Sequence, residues 1–250
     1  MIEIADPLIR WALHARGACR WERSGAVVVA CPELAHWDRL VTSGEPAAVA
    51  DLLRVVLAET GETFRPFGTE ELITEVVARL PELEVSARFA WMETTVPVKR
   101  VETTARVKHG ETATRIPSSG DDGGGPVWLT EADWPAVAEL IREAYPDSYA
   151  WPGDPDVRRW AGIRGTDGEL LAVAAEAWSA PEVGFLSGVA TRPSARGRGL
   201  GAAICAFTAN ELLDGRERVA LLVDYGNTAA VATYTRLGFT MRRVAAARRS

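Results

Sequence analysis

Apolar residues recur at helical and strand periods along the first hundred residues. Asp6 and Pro7 form an N-cap and first-turn pair, and the apolar positions from Leu8 onward predict a helix that ends near Gly17. The same reasoning predicts strands at 26–30, 37–42 and 85–91, and helices at 46–61 and 70–80. This part of the chain therefore alternates helices and strands, as a small α/β domain does.

The pattern continues after residue 126 with a different order of elements. A short strand at 127–129 precedes a helix capped by Thr130, and 147–160 is irregular, with room for a second short helix. Strands follow at 160–164, 170–178, 183–191 and 219–224, with helices beginning at Leu200 and after Asn227. The closing run from Arg242 to Arg249 is basic and split by Val244 and three alanines, so it is interpreted as an edge strand with a frayed tail.

Residues 117–126, with the sequence PSSGDDGGGP, contain no large apolar side chain. Such a stretch has nothing to pack against a core, so it predicts a flexible linker. The expected domains are an N-terminal α/β domain at 1–116 and a C-terminal domain at 127–250.

Composition excludes several classes of protein. The 250 residues are 47% hydrophobic and 25% charged, as in ordinary globular chains, and the net charge of −6 argues against nucleic-acid binding. Cys19, Cys31 and Cys205 are odd in number and widely spaced, which favours neither disulfides nor a metal site and fits a reducing cytoplasm. No run of 18 apolar residues occurs, so no membrane association is expected.

The stretch FLSGVATRPSARGRGLG, residues 185–201, joins a strand to a helix through a loop of arginines and glycines. Backbone amides at such a helix start favour an anion, most often a phosphate. A P-loop is excluded because no Lys-Ser or Lys-Thr pair follows the last glycine. A dinucleotide fingerprint stays open through Gly197, Gly199 and Ala202 with Asp224, although only 26 residues follow Asp224, too few to complete a Rossmann sheet.

A third interpretation rests on two motifs. Arg196, Gly199 and Gly201 resemble the Arg-x-x-Gly-x-Gly acyl-CoA signature of the GCN5-related N-acetyltransferases. Downstream, the stretch from Asn227 through Tyr234 to Gly238-Phe239 resembles the second signature of that family. Both motifs occur in the expected order, and the resemblance covers about 127–250.

The resemblance implies a mixed α/β (α+β) acetyltransferase fold for the C-terminal half and acetyl-CoA as the acyl donor, with no metal. It implies that Tyr234 is the general acid that protonates the leaving thiolate. Gly188, inside an apolar strand, indicates a bulge or a close ligand approach, and the resemblance puts the pantetheine arm beside it. The implied donor-binding residues are Val189, Ala190, Thr191, Arg196, Gly197, Arg198, Gly199, Leu200, Gly201, Ala202 and Asn227. The N-terminal half is expected to be a degenerate copy of the same fold.

The general base and the acceptor are less clearly indicated. Glu176 is the leading candidate base, with Glu182 and Ser187 as alternatives, because strand ends open toward the acceptor in this family. The expected acceptor is a small-molecule amine or a peptide, selected by residues 127–160. Acids outnumber arginines there, which is typical of a solvated helix face and would also attract a cationic amine. The sequence does not determine the oligomeric state, and a homodimer is one of the open alternatives. Two other functions stay open: a non-catalytic acyl-CoA-binding module and a nucleotide-dependent oxidoreductase.

Overall fold

A computed structural model describes residues 6–99, 101 and 124–250. The chain divides into two compact units, each built from separate stretches of sequence. Unit 1 comprises Met1–Val96, Trp178–Phe185 and Gly215–Ser250, and unit 2 comprises Pro97–Ala177 and Leu186–Asp214. Most of the predicted linker, 117–123, lies outside the described residues, so the predicted domain boundary there stays a prediction.

The described residues form six α-helices and eleven β-strands. The helices are α1 (Pro7–Leu13), α2 (Pro46–Thr60), α3 (Glu70–Arg79), α4 (Trp134–Ala144), α5 (Leu200–Leu213) and α6 (Thr228–Arg236). The strands are β1 (Cys19–Arg23), β2 (Ala26–Leu34), β3 (Trp37–Gly44), β4 (Arg65–Thr69), β5 (Leu83–Thr94), β6 (Val127–Trp128), β7 (Val157–Arg164), β8 (Leu170–Ala177), β9 (Val183–Thr191), β10 (Arg218–Asp224) and β11 (Thr240–Arg249).

Most predicted elements are present, and the exceptions are local. Strands β1 and β4 are absent from the prediction, because β1 is polar and largely exposed and β4 contains Pro66 and Gly68, so neither shows the pattern of a buried strand. The second short helix expected within 147–160 is wrong: residues 145–156 form turns, and β7 begins at Val157. Asp156 has a positive φ of 64°, a conformation that no α-helix contains.

Unit 1 is organised around one mixed sheet in the order β1-β2-β3-β4-β11-β5-β10 and then the first residues of β9. Two neighbouring pairs are parallel, β3 with β4 and β10 with β9, and the others are antiparallel. The pairing of β10 with β9 covers three residues, from Arg218↔Val183 to Ala220↔Phe185.

The predicted edge position of the last strand is wrong. Strand β11 lies between β4 and β5 and forms antiparallel ladders with both. Val244 and the three alanines after it are buried, and Ala245 and Ala247 pack with Ile73 of α3. The alanines that split the basic run are therefore the buried centre of an interior strand, and arginines precede and follow them.

The order of elements occurs twice in the sequence. Three antiparallel strands, a helix, a strand parallel to the third, a second helix and a last strand describe both the series β1 to β5 and the series β7 to β11. The last strand of each series pairs with the parallel strand of the other series, β5 with β10 and β11 with β4. This repetition is compatible with an N-terminal half that is a degenerate copy.

Strand β2 shows why the core of unit 1 forms where it does. Its residues from Ala26 to Cys31 are all buried, which is the pattern of a strand covered on both faces. Val28 belongs to the cluster that includes the apolar face of α2, while the Cys31 thiol donates to the carbonyl of Ala12 in α1. Burial raises the pKa of Cys31 to about 12, so this thiol stays protonated.

Unit 2 contains an antiparallel sheet in the order β6-β7-β8 followed by the later part of β9. Helices α4 and α5 both pack against β8, which is buried along most of its length. Asn210 of α5 binds Val98 through both its side-chain oxygen and its nitrogen, at 2.7 and 2.9 Å. Among the described residues, no helix is long and apolar enough to cross a membrane.

Candidate functional site

The connection between β9 and α5 gives unit 2 an exposed helix start. A short 3-10 turn, Pro193–Ala195, leads to Gly197 and Gly199, whose φ values of 75° and 78° lie in the left-handed region that favours glycine. Gly199 is the N-cap of α5 and provides no side-chain cap, and Ala203 donates the first backbone hydrogen bond of the helix to it at 3.0 Å. The amides just before Ala203 therefore lack helical acceptors and lie at the positive end of the dipole.

The three arginines of this loop have different surroundings. Arg192 is buried and binds the carboxylates of Glu143 and Glu169 and the carbonyl of Leu170. Arg196 donates to the backbone carbonyls of Thr191, at 3.3 Å, and Ala144, at 3.0 Å. Within the loop, which the structure describes completely, Arg198 is exposed and its side chain forms no hydrogen bond or ion pair. Arg198 is thus the arginine available to an outside anion.

Gly188 produces the bulge that its position in an apolar strand indicates. Ala175 pairs with Ser187 and Val173 with Ala190, so Gly188 and Val189 together lie opposite one residue of β8. Its φ is +59°, and a Cβ atom there would lie 2.5 Å from Cη2 of Trp160. Both the backbone and the packing therefore require glycine.

The residues after the bulge form the last strand of the unit 2 sheet. Ala190 and Thr191 pair with β8 on one side, and among the described residues of this unit the other backbone edge has no partner strand. Val189 and Thr191 are half-buried, and a Cβ atom on Gly201 would lie 3.3 Å from the Thr191 hydroxyl oxygen. An unpaired strand edge thus leads directly to the uncapped helix start.

Asn227 and Tyr234 lie in unit 1, and the loop residues lie in unit 2. The side-chain oxygen of Asn227 accepts from the amide of Ala230 at 3.1 Å and caps α6. Tyr234, seven residues further, is 6% exposed, and its ring centroid lies 5.8 Å from that of Phe239. The phenol is held by packing, and its motif partner Phe239 forms part of that packing.

Both carboxylates considered as general bases are bound to arginines. Glu176 is 3% exposed and accepts from Nε of Arg159 at 2.7 Å. Glu182 accepts from Arg10, and this hydrogen bond holds the pKa of Glu182 below its usual range. Ser187, the third candidate, is half-buried beside the bulge.

Residues 161–248 match the family model described as FR47-like protein. Several solved structures are similar over nearly the whole chain. A GCN5-related N-acetyltransferase from Kribbella flavida is 18% identical, covers 96% of this chain and 92% of its own, and has a TM-score of 0.65.

A putative GNAT-family acetyltransferase from Novosphingobium aromaticivorans is 20% identical, with 98% and 97% coverage and a TM-score of 0.56. A GCN5-related N-acetyltransferase from Sphaerobacter thermophilus is 16% identical, with 90% and 80% coverage and a TM-score of 0.55. No curated protein matches the sequence.

The chain has the fold of the GCN5-related N-acetyltransferases. The predicted fold class is therefore confirmed, and the similarity extends into the N-terminal half. The Arg-x-x-Gly-x-Gly loop directly precedes α5, the bulge lies in β9, and Tyr234 lies on α6.

The sequence does not reveal Trp160 as a partner of the bulge. This side chain is fully buried, and its ring lies against Gly188 together with Ala150, which would be 3.4 Å from a Cβ atom there. Ala150 belongs to the turns after α4, the segment expected to select the acceptor. The one sequence feature that could have indicated this contact is a large aromatic residue, Trp160, on β7, which lies two strands away from the strand that contains Gly188.

The acids of 127–160 are partly committed to structural contacts. Asp133 forms a capping box with Thr130 and binds Arg164 at 2.6 Å, and the backbone hydrogen bond from Thr130 is the main reason that its pKa is lowered. Glu143 binds Arg192, and Asp154 accepts from the amide of Trp151. In residues 6–99, 101 and 124–250, no group of three or more His, Cys, Asp or Glu could hold a metal.

Proposed function

We propose that the protein is an N-acyltransferase that transfers an acetyl group from acetyl-CoA to a primary amine. The observation that carries this proposal is the start of α5, where two left-handed glycines leave the helix without a side-chain cap. Such a start provides several unpaired amides to a diphosphate. The adjacent free edge of Val189, Ala190 and Thr191 suits the amide-bearing pantetheine arm, so the residues fit the donor.

The loop has a binding role in this proposal. The amides of Gly197, Arg198, Gly199, Leu200, Gly201 and Ala202 surround the diphosphate, and Arg198 adds a charge-assisted contact. The amide of Arg196 already donates to the carbonyl of Pro193 at 3.3 Å. The sequence predicts that Arg196 binds the donor. In this proposal its side chain instead stabilises the loop, because it donates to two backbone carbonyls of its own unit. Acetyl-CoA supplies an activated acetyl thioester when bound.

Chemistry in this proposal requires a neutral amine, a polarised carbonyl and a proton for the departing sulfur. A backbone amide near the bulge at Gly188 donates to the carbonyl oxygen as negative charge develops. The C–N bond forms, the C–S bond breaks, and Tyr234 gives its proton to the thiolate. The amine loses its proton to water, because Glu176 is already engaged by Arg159.

The acceptor is proposed to be a small amine or a peptide amine that approaches the turns after α4. Trp151 lies there with its indole nitrogen donating to the carbonyl of Ser148 at 2.8 Å, and the Arg142 guanidinium lies 6.0 Å from its ring centroid. Ala150 of this segment lies beside the bulge, 3.4 Å from where a Cβ atom on Gly188 would be.

The three free cysteines support a cytoplasmic location within the same proposal.

The test is a thiol-release assay with acetyl-CoA and a panel of amines, run on the wild type and on Tyr234→Phe. We expect kcat to fall by two orders of magnitude or more in the variant, because removal of a general acid typically costs about 10²–10⁴ in rate. The Kd for acetyl-CoA, measured by calorimetry, should change less than threefold.

Three outcomes would count against the proposal. Equal losses of kcat and affinity would remove Tyr234 from the role of acid. Tight acetyl-CoA binding without amine-dependent thiol release would indicate a non-catalytic acyl-CoA-binding module. Binding of NADH in place of acetyl-CoA would favour a nucleotide-dependent oxidoreductase.

A further inference from the structure

Unit 1 contains a pocket that the acyl-transfer proposal does not use. Its volume is about 460 Å³, within the range of small-molecule sites. Its lining residues belong to β5, β11, the start of α3, the residue after β10 and α6. The lining residues are Glu70, Arg88, Tyr225, Val231, Met241 and Arg243.

At one end of the pocket, Glu70 forms hydrogen bonds with Arg88 and Tyr225, and the charges of Glu70 and Arg88 cancel. Nε of Arg88 donates to one oxygen of Glu70 at 2.9 Å, and the Tyr225 hydroxyl donates to the other at 3.2 Å. Burial, and then the charge of Glu70, raise the pKa of Tyr225, so the phenol keeps the proton that it donates. Since both oxygens of Glu70 have donors, this end supplies little net charge to a ligand.

Arg243 gives the pocket its unbalanced charge. Its side chain is exposed, and its guanidinium carbon lies 6.0 Å from the centroid of the Tyr225 ring. Among the described residues it forms no hydrogen bond or ion pair. Other arginines of β11 differ: Arg242 binds Asp6 at 2.9 Å and Arg248 binds Glu84 at 2.7 Å.

The remaining wall is apolar. Met241 is 49% exposed, which is unusual for a large apolar side chain, and Val231 and the Tyr225 ring lie on the same pocket. Methionine packs adaptably against ligands because its side chain is unbranched and polarisable. The pocket therefore combines one free cation with an apolar surface.

We propose that this pocket binds a small organic monocarboxylate with an apolar or aromatic body. The carboxylate is received by Arg243, whose planar fork of donors matches both oxygens. The body packs on Met241, Val231 and the Tyr225 ring. A phosphate dianion fits less well, because the described lining residues offer one unbalanced positive charge and the second negative charge would have no partner.

Phenylacetate is the probe, and binding is measured by isothermal titration calorimetry on the full chain. We expect saturable binding that weakens with added salt, and neutral phenylacetamide should bind at least tenfold more weakly, since a charge-assisted hydrogen bond contributes more than a neutral one. Inorganic phosphate should bind more weakly than phenylacetate. This comparison needs no variant, so it is independent of folding effects.

Arg243→Gln should weaken phenylacetate binding about tenfold or more. The matched control is Arg248→Gln, an exposed arginine on the same strand, for which the Kd should not change. Thermal melts confirm that both variants fold. The proposal is overturned if phenylacetate does not saturate, if the amide binds as well as the acid, or if the two variants weaken binding equally.

Discussion

Gly188 determines the local geometry of β9 through two independent requirements. Its φ of +59° is unfavourable for residues with a side chain, and Trp160 occupies the space that a Cβ atom would need. The sequence indicates a bulge or a close ligand approach here, since a glycine in an apolar strand is unusual. It does not predict Trp160, because pattern alone does not tell which distant side chain packs on a given residue.

Replacement of this glycine tests both requirements. Gly188→Ala should reduce the free energy of unfolding by about 3 kcal/mol, because the strained φ and the overpacking against Trp160 add. The matched control is Gly168→Ala, with a φ of +82° and no atom within 4 Å of the added Cβ. That variant should lose only about 1 kcal/mol in urea unfolding. Equal losses would show that Trp160 moves aside without cost.

Helices α5 and α6 begin in contrasting ways. Asn227 caps α6 through Ala230, whereas Gly199 leaves α5 without a side-chain cap. The glycine motif predicts the uncapped start. The sequence does not predict that Arg196 binds the carbonyls of Thr191 and Ala144, since an arginine in a phosphate-type loop suggests a ligand contact first.

The cap of α6 provides a test at the scale of the helix. Asn227→Ala should lower the free energy of unfolding by about 1 kcal/mol, and Asn227→Asp should keep it, because both Asn and Asp accept from the amides of the first turn. Urea denaturation at neutral pH measures both variants. If the Ala variant is as stable as the wild type, the hydrogen bond to Ala230 does not stabilise the helix.

At the scale of the whole molecule, the sequence predicts the fold class and the order of most elements but not the pairing of the last strands. Apolar positions show that Val244 and the alanines after it can be buried, and they do not show between which strands. Pairing of β11 with β4 and β5 joins residues far apart in sequence. Such contacts depend on the complete sheet, so the sequence pattern alone predicts an edge strand for β11.

Removal of β11 tests its interior position. A chain that lacks residues 240–250 leaves two strands without a partner on one side and removes the buried alanines under α3. We expect loss of the cooperative urea transition followed by far-UV circular dichroism. Deletion of Ser250 alone, which removes one backbone hydrogen bond to Glu82, should leave the transition nearly unchanged. A truncated chain with the wild-type midpoint would contradict this expectation.

Strand β11 follows both of its neighbours, β4 and β5, in the sequence, and this order has a consequence for synthesis in the cell. While a ribosome adds residues in order, β4 and β5 are complete long before the strand that separates them exists. Until β11 is synthesised, β4 and β5 therefore either leave one backbone edge each unpaired, or pair with each other and later exchange that pairing for the one with β11. Residues 240–249 must therefore be synthesised before this sheet can close.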